Sequence, residues 1–245
     1  MRTSAKRILA RIAVAVAALF AVAYGLLTLS RATTYQVFGE IVPRVETNEK
    51  VVALTFDDGP TPLTQEVLQT LAARNVHGTF FLIGAEIAAD PADARAIAAS
   101  GNQIGNHSWS HDRMAFKTQS FIASEIEKTD REIRKTGYQG EIQFRPPYGK
   151  KLFGLPWYLA QHHRKTITWD VDPMTDRNVD QSADRIVPFV LSRVRPGSIV
   201  LLHPMYKGRE ATRAALGPII DGLHARGFRL VTVNELLAYG KSVDQ

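Results

Sequence analysis

"ALTFDDGPTP", residues 53–62, runs from an apolar segment straight into two adjacent carboxylates, Asp57 and Asp58, and then Gly59-Pro60. An almost continuously apolar run from Val51 reads as a strand covered on both faces. Asp, Gly and Pro in succession read as a turn with side-chain caps that ends it. The same kind of run recurs along the chain: "TFFLIG" (79–84), "NQIGNHS" (102–108), "IQFRP" (142–146), "TITWDV" (166–171), "SIVLLH" (198–203) and "FRLVTV" (228–233). Segments with helical spacing separate them, such as Val67, Leu68 and Leu71, or Ile122, Ile126 and Ile133 before Gly137. Seven strands alternating with helices predict a largely parallel sheet covered on both faces.

In such folds chemistry gathers just beyond the carboxyl ends of the strands. Asp57 and Asp58 end the first run, His107 and His111 follow the third, Arg145 ends the fourth, Asp170 and Asp172 end the fifth, and His203 ends the sixth. Five strand ends therefore offer potentially catalytic side chains to one rim.

The 245 residues suit one larger domain, and 45% hydrophobic content is enough for a full core. Arg2, Lys6, Arg7, Arg11 and Arg31 supply five of the six net positive charges, so residues 32–245 are nearly neutral and nucleic acid is not an expected partner. The chain has no cysteine, so any metal must be held by His, Asp or Glu.

From Ile12 to Ser30 no side chain is charged, about the length of a membrane-spanning helix. Lys6, Arg7 and Arg11 precede this run, which keeps the N-terminus cytoplasmic and exports the remainder of the chain. Ala21-Val22-Ala23 offers a signal-peptidase site as the alternative, but "GLLTL" continues the apolar run beyond it and favours an uncut anchor. The expected organisation is a membrane anchor or signal segment over 1–31, a connector over 32–48 and a catalytic domain over 49–245, outside the cytoplasm.

In "HSWSH" the i, i+4 spacing sets His107 and His111 on one side of the backbone, a ready pair of metal ligands; taken alone, such a pair also fits a solvated surface. One of the two opening aspartates can complete a His₂-carboxylate set, and the other then stands beside the metal as a candidate base. Tyr148, Trp157 and Trp169 are candidate binding-site aromatics, although aromatic residues in an α/β protein commonly fill the core.

"TFDDGP", "HSWSH", "RPPYG" and "LLH", in this order at successive strand ends, resemble the polysaccharide deacetylase family, the NodB homology domain of carbohydrate esterase family 4, over about residues 49–240. The resemblance implies a distorted (β/α)7 barrel. It implies that Asp57 is the general base, that Asp58, His107 and His111 are metal ligands, and that Arg145 orients the base. It further implies that the backbone around Tyr148 donates to the oxyanion, that Leu201 lines the pocket for the acetyl methyl, and that His203 is the general acid.

After the fifth strand the match lapses. Where the family shows D-x-x-D-W, with the second Asp holding the arginine, this chain has Thr175 and Asp176 counted from Asp172. Asp176, then Asp172 and Asp170, are the candidate partners of Arg145. The implied activity is metal-dependent removal of N-acetyl groups from an N-acetylglucosamine-containing glycan such as peptidoglycan or chitin, with release of acetate. An O-acetyl esterase acting on a polymer such as xylan, and a catalytically silent sugar-binding envelope protein, are the alternatives. Two imidazoles and a carboxylate suit zinc, with cobalt or nickel fitting a similar geometry.

Overall fold

The computed structural model describes residues 2–240. Its strands are β1 (Ile41–Val42), β2 (Val51–Asp57), β3 (Thr79–Leu82), β4 (Gln103–Asn106), β5 (Thr166–Ile167), β6 (Ile199–Leu202) and β7 (Arg229–Leu230). The helices are α1 (Arg2–Arg31), α2 (Thr64–Ala72), α3 (Gly84–Ala89), α4 (Pro91–Ala99), α5 (Gln119–Lys135), α6 (Gly154–Gln161), α7 (Ala183–Arg193), α8 (Glu210–Ala225) and α9 (Val233–Leu237).

Strands β4, β3, β2 and β6 lie side by side, all parallel. Single bridges close the ring: Phe144 joins Asn106 to Thr166, and Val171 joins Val200. β7 pairs only with Val51 and Val52, at the start of β2. The result is a distorted (β/α) barrel in which part of the wall is held by isolated bridges. The fourth expected strand shrinks to Phe144 because Pro146 and Pro147, which come after Arg145, have no N–H to give to a ladder. The expected connector contains β1, which pairs with β5 at Ile41–Thr166 and Val42–Ile167. Two residues are too few to show an alternating pattern.

β2 shows why a buried strand can read as continuously apolar and still deliver polar groups. Val52, Leu54 and Phe56 pack outward among Val67, Leu71, Ile219 and Ile220 of α2 and α8. Val51 and Ala53 pack inward with Phe81, Ile167 and Ile199. Alternation then sets Thr55 and Asp57 on the inner face. β6 repeats the arrangement, with Val200 and Leu202 outward and Ile199 inward, so Leu201 and then His203 come next on the inner side. Gly105 in β4 lets the Phe81 ring approach closely, since a Cβ there would lie 2.5 Å from it.

Helix α1 includes the span Lys6–Arg31, whose most apolar stretch has a mean hydropathy of 2.4 and is not buried inside the barrel. It is long and apolar enough to cross a membrane.

Candidate active site

Asp57 ends β2 with its side chain buried inside the barrel, where Arg145 Nη1 donates to Oδ1 at 2.5 Å. The same nitrogen donates to Thr55 Oγ1 at 2.8 Å, while Nη2 donates to the Thr168 carbonyl at 3.0 Å and Nε to that of Ile167 at 3.4 Å. The guanidinium also stacks on Phe81, 4.1 Å from the ring centre. Burial lowers the Arg145 pKa and Asp57 counters the drop, so a fully enclosed cation is held by a carboxylate and neutral acceptors. Thr55 is a partner that sequence reasoning does not single out; its position two residues before Asp57 on the same strand face is the signal that marks it.

Asp58 leaves the strand. Its φ of 73° turns the side chain back toward the site that Asp57 also faces, and its N–H donates to Phe81 O at 3.1 Å. Asp58 Oδ1 lies 3.2 Å from His111 Nε2 and 3.7 Å from His107 Nε2. His107 Nδ1 is 2.8 Å from the Arg145 carbonyl, so it carries the proton and Nε2 presents its lone pair between Asp58 Oδ1 and Asp57 Oδ2, the latter at 3.6 Å. Among the described residues, the buried Asp58 Oδ1 has no hydrogen-bond donor. A carboxylate oxygen without a donor and imidazole nitrogens within 4.8 Å of one another fit a divalent cation better than they fit each other.

The charges point the same way. Burial, then Asp57 and Glu86, push Asp58 up to about 7, and burial, then the neighbouring His111, pushes His107 well down. A cation reverses the first shift and is compatible with the second.

The two histidines are held by a loop and not by a helix. Ser108 and His111 have φ values of 67° and 59°. Glu125, buried on α5, accepts from Trp109 N at 3.0 Å, Ser110 N at 2.8 Å and Ser110 Oγ at 2.9 Å. Sequence reasoning misses this supporting carboxylate because nothing in the helical spacing of α5 distinguishes it. Four of the seven non-glycine residues with positive φ among those described (Asp58, Ser108, His111 and Tyr148) lie at this site, as expected where geometry is fixed for function.

Asp57, Asp58, His107, His111, Tyr148, Leu201 and His203 open onto one cavity of about 420 Å³, together with Trp169, Asp172, Met174, Thr175 and Arg209. Tyr148, with φ 58°, sets its ring 4.6 Å from that of His111. Leu201 supplies apolar wall. His203 Nδ1 is buried and has no partner among the described residues, and burial pushes the imidazole down to about 4, against the pull of Asp57. Trp169 belongs to the cavity wall, whereas Trp157 packs edge-on against Phe38. Arg209 is a further wall residue that the sequence does not mark; it pairs with Asp180 at 2.8 Å.

Asp176 is not the partner of Arg145. It is exposed beyond a short 3₁₀ turn at Pro173–Thr175, and its Oδ1 accepts from Asn178 N at 2.9 Å. Asp170 instead fixes β6, accepting from Ser198 Oγ and Ile199 N, each at 2.9 Å. Asp172 lies within electrostatic reach of Arg145 but accepts from Met174 N at 2.8 Å, and burial pushes it up to about 6. The arginine's acid partner is Asp57 itself.

A family model for polysaccharide deacetylases matches residues 44–167, just over half of the chain. The chain belongs to the polysaccharide deacetylase family. It is 35% identical over 197 residues to the peptidoglycan-N-acetylmuramic acid deacetylase PdaC of Bacillus subtilis, across 78% of this chain and 40% of that protein. It is 35% identical over 199 residues to a chitooligosaccharide deacetylase of Sinorhizobium fredii, across 76% of this chain and 92% of that one. The solved Bc1960 peptidoglycan N-acetylglucosamine deacetylase superposes with a TM-score of 0.74 at 34% identity, covering 80% of this chain and 91% of that chain. The chain spans about two fifths of the length of the first curated relatives it matches. Deacetylases of this family are metalloenzymes, and the Asp58, His107 and His111 cluster of this polysaccharide deacetylase domain is a site that fits a metal.

Proposed function

We propose that this protein is a membrane-anchored hydrolase that removes N-acetyl groups from an N-acetylglucosamine-containing glycan of the peptidoglycan or chitin type and releases acetate. The observation that carries this reading is the division of two adjacent aspartates by environment. Asp57 is clamped by Arg145 and meets one imidazole, His107, whereas Asp58 lies against both His107 and His111. The relatives named as peptidoglycan and chitooligosaccharide deacetylases support the substrate class.

Asp58, His107 and His111 would hold the divalent ion, and the two-nitrogen, one-oxygen donor set favours zinc. When bound, the ion supplies Lewis acidity and lowers the pKa of water beside it. Asp57, oriented by Arg145, takes the proton from the attacking water. The backbone at Tyr148 donates to the oxyanion, and Leu201 receives the acetyl methyl. His203 protonates the departing nitrogen. Burial keeps it neutral at rest; as negative charge develops at the tetrahedral centre it takes a proton from solvent and passes it to the amine nitrogen as the C–N bond breaks and acetate forms. Anchoring by α1 would hold the domain outside the cytoplasm, near the cell wall.

Acetate release from chitin oligomers and from peptidoglycan, with and without added zinc, tests the reading. Zinc-dependent acetate is expected. Zinc binding with no acetate from either glycan would instead favour a silent sugar-binding protein.

A further inference from the structure

The last turn of α1 is clasped to the barrel without a free tether. The Ser30 carbonyl accepts from Lys151 N at 3.1 Å, and the buried Lys151 ammonium donates to the Ala32 carbonyl. A lysine there satisfies a carbonyl just past the helix end, where intrahelical donors have run out. Further along, Thr168 Oγ1 donates to Thr33 O at 2.7 Å, and the backbone N–H groups of Thr166 and Thr168 donate to Glu40 O and Val42 O. The segment from Ser30 to Val42 is therefore part of the domain, and a bilayer entered by α1 must lie close to the surface where α1 ends.

That surface is aromatic and basic. Phe153, two residues past the lysine clasp, is 43% exposed, and Trp157 on α6 is 46% exposed. Phe38 stacks edge-on against Trp157 at 5.1 Å, and Tyr35 is 60% exposed in the same segment. Burial lowers the Lys150 pKa, and the charges that lower it further are those of Arg31 and Arg113, which gathers three cations near the helix exit. Aromatic and basic side chains flanking a spanning helix belong at the headgroup level, and contiguous exposed apolar groups mark a contact surface.

We propose that this collar around the end of α1 rests on the anionic surface of the bilayer that α1 enters and holds the catalytic rim against it. The proposal depends on reading α1 as an uncut anchor. It ties the membrane to the site through two observed links. Arg113 lies over the Tyr148 ring at 5.1 Å. A second cavity of about 470 Å³, lined by Thr33 and Thr34 of the exit segment, shares Trp169, Asp172 and Thr175 with the active-site cavity. Glycan strands close to the membrane are then the ones presented to Asp57 and His203.

The chain has no cysteine, so single labels can be placed cleanly. The full chain is reconstituted in nanodiscs of equal parts phosphatidylcholine and phosphatidylglycerol. Spin labels are attached at Phe153→Cys, at Leu19→Cys within α1, and at Ala225→Cys near Lys50 and the start of β2, the opposite end of the barrel. Collision with a water-soluble nickel relaxant should be suppressed at positions 19 and 153 and remain high at 225. Because the label replaces a ring, the unlabelled chain is measured too. Trp157 fluorescence, assigned by subtracting a Trp157→Phe variant, should be quenched by lipids brominated near the headgroup. A shielded position 19 with a water-exposed position 153 and an unquenched Trp157 overturns the docking while leaving the anchor intact. A water-exposed position 19 removes the anchor reading and the docking with it.

Discussion

Arg145 Nη1 bonds Asp57 Oδ1 at 2.5 Å and Thr55 Oγ1 at 2.8 Å, so one buried nitrogen ties together two residues that β2 presents in succession on its inner face. Removing the guanidinium leaves Asp57 buried without its counter-charge. Arg145→Ala should lower stability by about 3–5 kcal/mol and abolish measurable acetate release. Chemical denaturation and single-turnover assays check both effects.

Thr55→Val tests the same clamp more gently. Thr55 Oγ1 donates to the Val200 carbonyl at 2.7 Å and accepts from Arg145. The variant should lose about 1–3 kcal/mol of stability. Its kcat should fall on the order of tenfold as Asp57 loses precise orientation. Metal affinity, measured by calorimetry, should not change, because no donor atom of the Asp58, His107 and His111 cluster is touched.

Glu125 never faces the cavity, yet it gathers three donors from the loop between the two histidines. Glu125→Ala should weaken zinc binding by about 10–100-fold, the usual effect of losing an outer support of a ligand. The Asp57–Arg145 pair should be undisturbed. A zinc titration of the variant against wild type reads this directly.

His203 gives a pH signature. Its folded pKa of about 4 lies below the ordinary 6.5, so between these values the unfolded chain binds the proton and the folded chain does not. The associated stability is fully present above pH 6.5 and is lost as pH falls through 6.5 toward 4, up to about 3 kcal/mol. In His203→Gln the slope of stability against pH should be shallower across this window, as urea denaturation at several pH values will show.

Much of the barrel is legible in the sequence because β2, β3 and β6 are buried on both faces and read as nearly continuous apolar runs. The fourth run is legible as a strand but its shrinking to Phe144 is not, and neither is the two-residue β1, since pairing there depends on neighbours distant in the chain. The site residues are readable wherever a polar group interrupts an apolar strand end, as at Asp57, Arg145 and His203. Counting from Asp172 lands on Thr175, and allowing a slip of one residue to reach Asp176 points wrongly to that residue as the partner of Arg145: the chain turns outward at Pro173 and leaves Asp176 exposed. Glu125 and Arg209 carry no local signal, because a charged residue on a helix or loop reads as surface until its contacts are known.

We propose that environment makes Asp57 the base and Asp58 the ligand. It is tested most directly by measuring zinc stoichiometry and acetate release together in Asp57→Asn and Asp58→Asn. Asp57→Asn is expected to bind one zinc and release no acetate, whereas Asp58→Asn should lose both. Full turnover by Asp57→Asn, or loss of zinc from it while Asp58→Asn keeps its metal, would contradict the claim.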